Sequence, residues 1–275
     1  MVRYLDQRNE PLNAKERDKL LFWYVQAGMW GRFSSSTESI IDKDLGALEG
    51  ENGSLDNLLE QLRLWNGGLR VEPDHFTGWS LGARFYPVLY LITRMGEAKD
   101  LGTGIPLNAN MLGKMNTLEV HHIFPKSKLY DNNYTKPEVN ALANFCFLTK
   151  DSNLTIHNRL PEEYFPKIES NNPGVLKSPW IPEDPELWKI KNYREFLEAR
   201  KKLLAQEVNN QMQTLLHGDT RFLEGPSPAV PISESILGGI SSKEEEEELE
   251  SLNEWVANQD LPRGQLSYDF IDEET

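Results

Sequence analysis

The spacing of the apolar residues changes near residue 112, and this change constrains the fold of the chain more than any other feature. Before residue 112 the spacing is helical. Ser54 is positioned to cap one such helix, and the i, i+3, i+4 and i+7 positions that follow are Leu55, Leu58, Leu59 and Leu62. A second apolar stretch, 85–95, contains Pro87, which suits a first turn or a kink. Three glycines and a proline in 96–106 predict a loop. Residues 1–112 are therefore predicted to form a helical domain.

Beyond that point the pattern favours strands. Leu118 and Val120 alternate with polar neighbours, which predicts a short strand that runs into a turn near Pro125. The polar stretch 131–138 predicts a loop, and the compact apolar run 145–149 predicts a second strand.

A short helix is expected to follow the second strand. It is predicted to start at Asp151 or Ser152 and to carry Asn153 and His157. The order strand, loop, strand, helix occupies residues 113–170. The predicted fold class is therefore mainly α (α+β), with a small β element set among helices.

The rest of the chain contains a helical segment over 171–222, followed by a linker and an acidic tail over 223–275. Within the helical segment, 187–204 is predicted to be an amphipathic helix with a net charge of +4. Such a helix could face DNA, although a solvated helix face explains the charge equally well. Its basic residues are Lys189, Lys191, Arg194, Arg200, Lys201 and Lys202.

The net charge of −14 is concentrated in the tail. Residues 243–275 hold twelve acidic and two basic residues, a net charge of −10, so residues 1–242 have a net charge of −4. Nucleic acid attracts basic surfaces. Because the acidity belongs mostly to the tail, the overall charge does not exclude a nucleic-acid partner.

Several other features limit the class of protein. Cys146 is the only cysteine, which excludes an internal disulfide and a multi-cysteine zinc site. The apolar run 20–25 is too short to span a bilayer, and the polar, charged stretch 1–11 is not a secretory signal. We therefore expect a cytoplasmic protein without a membrane partner. His75 and His217 are expected to be surface residues, and Cys146 a core residue.

Two of the five histidines are adjacent, at positions 121 and 122. Phosphodiester hydrolysis needs a base to deprotonate water and a cation to stabilise charge on the phosphate and the leaving oxygen. Neighbouring side chains of an extended segment point in opposite directions, so one of the two histidines can bind a metal ion while its neighbour acts as the base. Asn153 and His157, spaced i and i+4 on the predicted helix, could complete the site together with water. These ligand types suit Mg²⁺, Mn²⁺, Ni²⁺ or Zn²⁺.

These residues resemble the HNH endonuclease motif, in which the run 121–125 (HHIFP) is followed by Asn144 and then by Asn153. More narrowly, the chain resembles the C-terminal nuclease region of the GmrSD-type, modification-dependent restriction enzymes. This resemblance is carried by LEVHHIFPKSKL and ALANFCFLTKDSNLTIHNRLPEEYF, and less specifically by KLLFWYVQAGMWGRFSSSTESIIDKDL. The matches cover residues 15–215.

The resemblance implies a ββα-metal fold and a role for each matched residue. His121 would be a metal ligand and His122 the general base, while Asn144 would brace the loop between the strands through backbone hydrogen bonds. Asn153 would be the second metal ligand, and His157 stands where some HNH nucleases have a third ligand and others use water. The expected cofactor is one divalent ion, with Mg²⁺ favoured.

The expected substrate is DNA, and the implied role is defence against foreign or base-modified DNA. Charge and proximity alone suggest four phosphate contacts, namely Lys126, Lys128, Lys150 and Arg159. Full-length relatives carry an N-terminal nucleotide-dependent domain, which is expected to be missing here. One HNH centre cuts one strand, so cutting both would need a homodimer.

Two alternatives stay open at this point. The first is a non-catalytic nucleic-acid-binding or assembly module, against which the intact His121-His122 pair argues. The second is an RNA-directed nuclease toxin, which a comparison of DNA and RNA substrates would separate from a DNA endonuclease.

Overall fold

The computed structural model describes residues 2–6, 10–49, 53–96, 98–108 and 117–225. The chain divides into two units, Met1–Pro226 and Ser227–Thr275, and the second unit lies outside the described residues. The linker and acidic tail predicted over 223–275 lie outside them from residue 226 onward, whereas Leu223 is fully buried in the core, so the predicted start at 223 was wrong.

Helices dominate the described residues and confirm the mainly α prediction. The α-helices are α1 (Val2–Asp6), α2 (Ala14–Trp30), α3 (Thr37–Leu48), α4 (Leu55–Asn66), α5 (Tyr86–Met95), α6 (Lys126–Asp131), α7 (Lys136–Val139), α8 (Lys150–Ile156), α9 (Pro161–Asn171) and α10 (Tyr193–Leu215). Short 3-10 helices span Pro73–Thr77, Leu142–Asn144, Pro185–Trp188 and Ile190–Asn192. Among the helices described, none is long and apolar enough to cross a membrane.

In the first half of the chain, the positions at which the helices begin are determined by nearby residues. The Asn13 side chain accepts a hydrogen bond from the Glu16 amide (3.0 Å), and the Glu16 carboxylate accepts one from the Asn13 amide (3.0 Å), which forms a capping box at α2. As predicted, Ser54 caps α4, because its hydroxyl accepts a hydrogen bond from the Asn57 amide (3.1 Å). The proline of α5, Pro87, lies in the first turn, where a missing amide proton costs nothing.

The two predicted strands form an antiparallel pair, β1 (Leu118–His122) and β2 (Phe145–Thr149), and α8 follows β2 directly. In the register, His121 lies opposite Cys146 and His122 lies opposite Phe145. The prediction of a loop over 131–138 was only partly correct, since α6 ends within it and α7 begins within it. A local capping box explains α7, because the Thr135 amide and hydroxyl both donate to the Glu138 carboxylate (2.7 Å each).

The small sheet separates two hydrophobic clusters. The helical core combines side chains of α2, α4 and α5 with Phe145 and Phe147 of β2. The site core contains the alternate β2 residues, Cys146 and Leu148, together with side chains of α9. Both clusters share α10, whose Tyr193, Phe196 and Leu197 lie in the site core and whose Leu204, Val208 and Met212 lie in the helical core.

The helix predicted over 187–204 differs from α10 in position and in role. Two 3-10 helices occupy most of 185–192, and α10 then continues to Leu215. The predicted basic face is not one surface, because Arg200 is fully buried and Lys201 is buried beside Glu198 (2.7 Å). Arg194 forms an ion pair with Glu138 (2.7 Å). These three basic residues are therefore buried or ion-paired within the protein.

Candidate functional site

The alternation of β1 gives its two faces different surroundings. Leu118 and Val120 pack against the helical core, and the ring of His122 lies edge-to-face on Phe145, with 4.8 Å between ring centroids. Helix α8 contacts β1, and its Asn153 side chain bonds to residues 119 and 121. The strand therefore directs the two adjacent histidines to opposite sides.

His121 is buried and faces α8. Its Nδ1 atom lies 2.8 Å from Oδ1 of Asn153, whereas its buried Nε2 atom has no hydrogen-bond partner among the described residues. Burial lowers the pKa of His121 to about 4, against the opposing effect of the Asn153 hydrogen bond. The imidazole is therefore neutral at pH 7.

Asn153 is oriented by a residue that the sequence analysis did not single out. Its Nδ2 donates a hydrogen bond to Oε2 of Glu119 (2.8 Å), which directs Oδ1 of the same amide toward His121. The signal was present in the sequence, because Glu119 lies two positions before His121 and so shares its face of β1.

His122 is half-buried on the other face of β1. Its Nε2 atom lies 3.3 Å from Oδ1 of Asn140, and the Nδ2 atom of the same amide donates to the Lys136 carbonyl (2.9 Å). That second bond fixes the orientation of the amide, so Nε2 of His122 carries the proton and Nδ1 has the free lone pair. Burial, together with the charge of Lys126, lowers the pKa of His122 to about 4, against the opposing effect of the Asn140 hydrogen bond.

Asn144 is fully buried and joins the end of β1 to the start of β2. Its Oδ1 accepts from the Phe124 amide (2.8 Å), and its Nδ2 donates to the carbonyls of Phe124 and Val139 (3.1 Å each). The amide thus uses its acceptor and both of its protons on the backbone that follows the histidine pair.

Asp100 fixes the start of α8 from a distant part of the chain. This buried carboxylate accepts hydrogen bonds from the amide and hydroxyl of Thr149 (2.8 and 2.9 Å) and from the hydroxyl of Ser152. Burial raises its pKa, but the hydrogen bonds outweigh burial and the net pKa is lowered. The loop approaches α8 so closely that a Cβ at Gly102 would lie 2.3 Å from Oγ of Ser152. Asp100 therefore positions the helix that carries Asn153.

Arg200 supports the other end of the site. Its guanidinium donates to the carbonyls of Ala143 and Phe145 (2.7 Å each), which flank Asn144, and to the carbonyl of Pro179 (3.1 Å). Burial lowers its pKa to about 10, so the group stays charged at pH 7. A buried cation here stabilises the backbone turn that leads into β2.

His157 is placed differently from its prediction. Helix α8 begins at Lys150 and ends at Ile156, and His157 follows it as an exposed residue with φ of 53°. The i, i+4 argument that aligned it with Asn153 therefore does not apply. Among the described residues, no group of three His, Cys, Asp or Glu could hold a metal ion, so His121, Glu119 and His157 do not form such a group.

The four predicted phosphate contacts fall into two kinds. Lys126 and Lys150 are exposed, at the starts of α6 and α8, and Lys128 is partly exposed on α6. Arg159 is already engaged, because its Nε donates to the Ile156 carbonyl (3.0 Å) at the end of α8.

The burial of Cys146, His217 and His75 can be compared with the core and surface positions that were predicted for them. Cys146 is buried as predicted, and burial raises its pKa to about 12. His217 is exposed as predicted, with Nε2 3.1 Å from an Asp18 oxygen. The prediction for His75 was wrong, because its ring is half-buried and stacks on Phe85 with 5.5 Å between centroids.

The geometry fits a divalent ion held by two protein atoms. Nδ1 of His121 and Oδ1 of Asn153 face each other at 2.8 Å, and a Mg²⁺ site commonly has few protein ligands and several waters. Binding at Nδ1 would move the imidazole proton to Nε2. Because Nε2 has no partner among the residues that the structure describes, this shift breaks no hydrogen bond of Nε2.

The low pKa values of the two histidines predict a loss of stability in mild acid. In an unfolded chain both pKa values are about 6.5, whereas in the fold both are about 4. Between pH 6.5 and pH 4 the unfolded state therefore binds more protons, and the free energy of unfolding falls as the pH falls. For the buried His121 the slope is at most about 1.4 kcal/mol per pH unit.

Urea unfolding at pH 7 and pH 5, in EDTA, measures this loss. We expect a smaller loss between the two pH values for His121→Asn than for the wild type, and an unchanged loss for the exposed control His217→Asn. An equal loss in the wild type and His121→Asn would contradict the prediction.

Comparison with protein-family models, with curated proteins and with solved structures gives no match for this chain.

Proposed function

We propose that this chain is a metal-dependent HNH-type endonuclease that hydrolyses DNA phosphodiesters. The proposal is supported by the arrangement of the His121, His122 and Asn153 side chains around β1. On one face, Nδ1 of His121 lies within hydrogen-bond distance (2.8 Å) of Oδ1 of Asn153, and on the other face His122 has a free Nδ1. Both imidazoles are neutral at pH 7.

In this proposal, Nδ1 of His121 and Oδ1 of Asn153 hold one divalent ion, with Mg²⁺ favoured and Mn²⁺, Ni²⁺ or Zn²⁺ as alternatives. A bound ion would stabilise the charge that develops on the phosphate and on the departing oxygen. Glu119 keeps the Asn153 amide oriented, and Asp100 keeps α8 in place. Supporting partners of this kind tune metal affinity in other metal sites.

His122 acts as the general base. Its Nε2 proton is held by Asn140, so its Nδ1 takes the proton from a water molecule. The water oxygen then attacks phosphorus in line, and the bond from phosphorus to the 3′ oxygen breaks. The second proton of the water passes through solvent to the departing 3′ oxygen, so the products are a 5′-phosphate dianion, a 3′-hydroxyl and a protonated His122.

The biological role in this proposal is defence against foreign or base-modified DNA, in the cytoplasm. It is supported by the resemblance to the GmrSD-type nuclease region. A nucleotide-dependent partner domain and a homodimer belong to the same proposal, since one centre cuts one strand.

The proposal predicts metal-dependent nicking of supercoiled plasmid. With Mg²⁺, Mn²⁺ or Ni²⁺ we expect open circular DNA to accumulate, and with EDTA we expect none. Asn153→Ala should raise the metal concentration needed for half-maximal nicking by about 10-fold to 100-fold, because one of two protein ligands is lost.

The exposed control Asn158→Ala should leave that concentration unchanged. A parallel assay with single-stranded RNA tests the toxin alternative. Absence of nicking with every metal, on both modified and unmodified plasmid, would refute the proposed activity of the chain and favour the non-catalytic module.

A further inference from the structure

An exposed tryptophan lies on a segment that is far from the proposed base in sequence but is bonded to the segment that contacts it. Trp79 keeps 43% of its surface exposed, and the neighbouring Leu81 keeps 58%. Large exposed apolar side chains next to a polar site are typical of contact surfaces. The segment that carries both side chains precedes α5, and neither side chain has a role in the proposed nuclease site.

The segment is attached to the residue that holds His122. The amide of Ser80 donates to the Asn140 carbonyl (2.9 Å), and the amide of Leu142 donates to the Gly78 carbonyl (3.0 Å). Between these two bonds, Trp79 forms an antiparallel bridge with Ala141. Asn140 in turn lies 3.3 Å from Nε2 of His122. The backbone of Trp79 is therefore paired with the residue that follows Asn140, whose side chain orients the base.

Positive charge accompanies the indole. Nζ of Lys136 lies 5.9 Å from the centroid of the Trp79 ring, and the exposed Lys126 is close enough to His122 to lower its pKa. Aromatic rings combined with cations bind unpaired nucleotides, because bases stack on the ring while the cations attract the phosphates. A paired base inside a duplex offers no free face for such stacking.

From this arrangement we propose that Trp79 is a stacking platform for an unpaired DNA base next to the scissile phosphate, with Lys136 as its phosphate contact. The inference rests on the proposed nuclease function for the position of the scissile phosphate, and it adds a substrate preference. The site would engage a DNA strand that is locally unpaired, such as a single-stranded or distorted segment.

The test is the affinity of the full chain for a fluorescent single-stranded oligodeoxynucleotide and for its blunt duplex, measured by anisotropy in EDTA so that cleavage does not interfere. We expect Trp79→Ala to weaken single-strand binding by about tenfold or more, Trp79→Phe to retain most of it, and duplex binding to change less than about twofold. The matched control is Trp65→Ala, since Trp65 is 44% exposed on α4 and also lies under a cation, Arg32.

Three results would overturn the inference: no single-strand binding by the wild type, unchanged binding by Trp79→Ala, or equal losses for single strand and duplex. Thermal unfolding of each variant shows whether a loss reflects folding. Nicking by the wild type together with unchanged binding by Trp79→Ala would refute the platform alone. Trp79-dependent binding without any nicking would instead refute the nuclease proposal and leave the platform supported.

Discussion

His122→Ala is expected to reduce plasmid nicking by about 10²-fold to 10⁴-fold, the usual contribution of a general base. The reduction should appear at every metal concentration, because the proposed metal ligands, His121 and Asn153, are on the side of β1 opposite to His122. The pKa of about 4 means that the wild-type base is already deprotonated at pH 6. The wild-type rate should therefore depend little on ionisation of His122 above that pH. The measurement is the initial rate of open-circle formation in Mg²⁺ or Mn²⁺.

Two controls separate a lost base from a lost fold. Added imidazole should restore part of the nicking by His122→Ala, because a small base can occupy the space of the side chain, whereas a misfolded protein would not respond. His157→Ala changes an exposed histidine and should leave the rate within about twofold, the scale of a surface substitution. Full activity of His122→Ala would show that another group deprotonates the water.

Arg200→Ala is expected to lower the free energy of unfolding by about 3–5 kcal/mol. The substitution removes three charge-assisted hydrogen bonds and leaves the buried carbonyls of Ala143, Phe145 and Pro179 without those donors. Each unsatisfied buried group costs about 1–3 kcal/mol, and the cavity adds to this cost. A loss of this size is a large part of the total stability of an ordinary domain, about 5–15 kcal/mol.

Urea or thermal unfolding followed by circular dichroism measures this effect. Lys202→Ala is the matched control, because Lys202 is an exposed cation on the same helix and should change stability by less than about 0.5 kcal/mol. Arg200→Lys keeps the charge but has a single nitrogen in place of the guanidinium fork, so an intermediate loss is expected. Stability of Arg200→Ala within about 1 kcal/mol of the wild type would show that water or other groups satisfy these carbonyls.

Local patterns in the sequence predicted the elements whose causes are local. The apolar run 145–149 coincides with β2, and the alternation beginning at Leu118 coincides with β1. Ser54 and Pro87 act as predicted because capping and first-turn geometry depend on only a few neighbouring residues. The end of α8 was placed too late, because the apolar and polar spacing gives no sign of the left-handed φ at His157.

Local sequence patterns could not predict contacts between segments that are far apart in the chain. Asp100 bonds to Thr149, 49 residues away, and Arg200 bonds to Ala143, 57 residues away. The charge of Arg200 suggested a solvated or DNA-facing helix, since only the packing of α10 between the two clusters shows that this position is internal. Glu119 is the exception, because its shared strand face with His121 could have been inferred from alternation alone.

Helix α10 contributes side chains to both the site core and the helical core, so the small sheet depends on residues far outside it. A fragment limited to the two strands and α8 would expose Phe145 and Phe147 to water and would lack the guanidinium of Arg200. Residues 113–170 alone are therefore not expected to behave as a transplantable cassette. In this chain the strand pair and α8 can therefore be inherited or redesigned only together with α10.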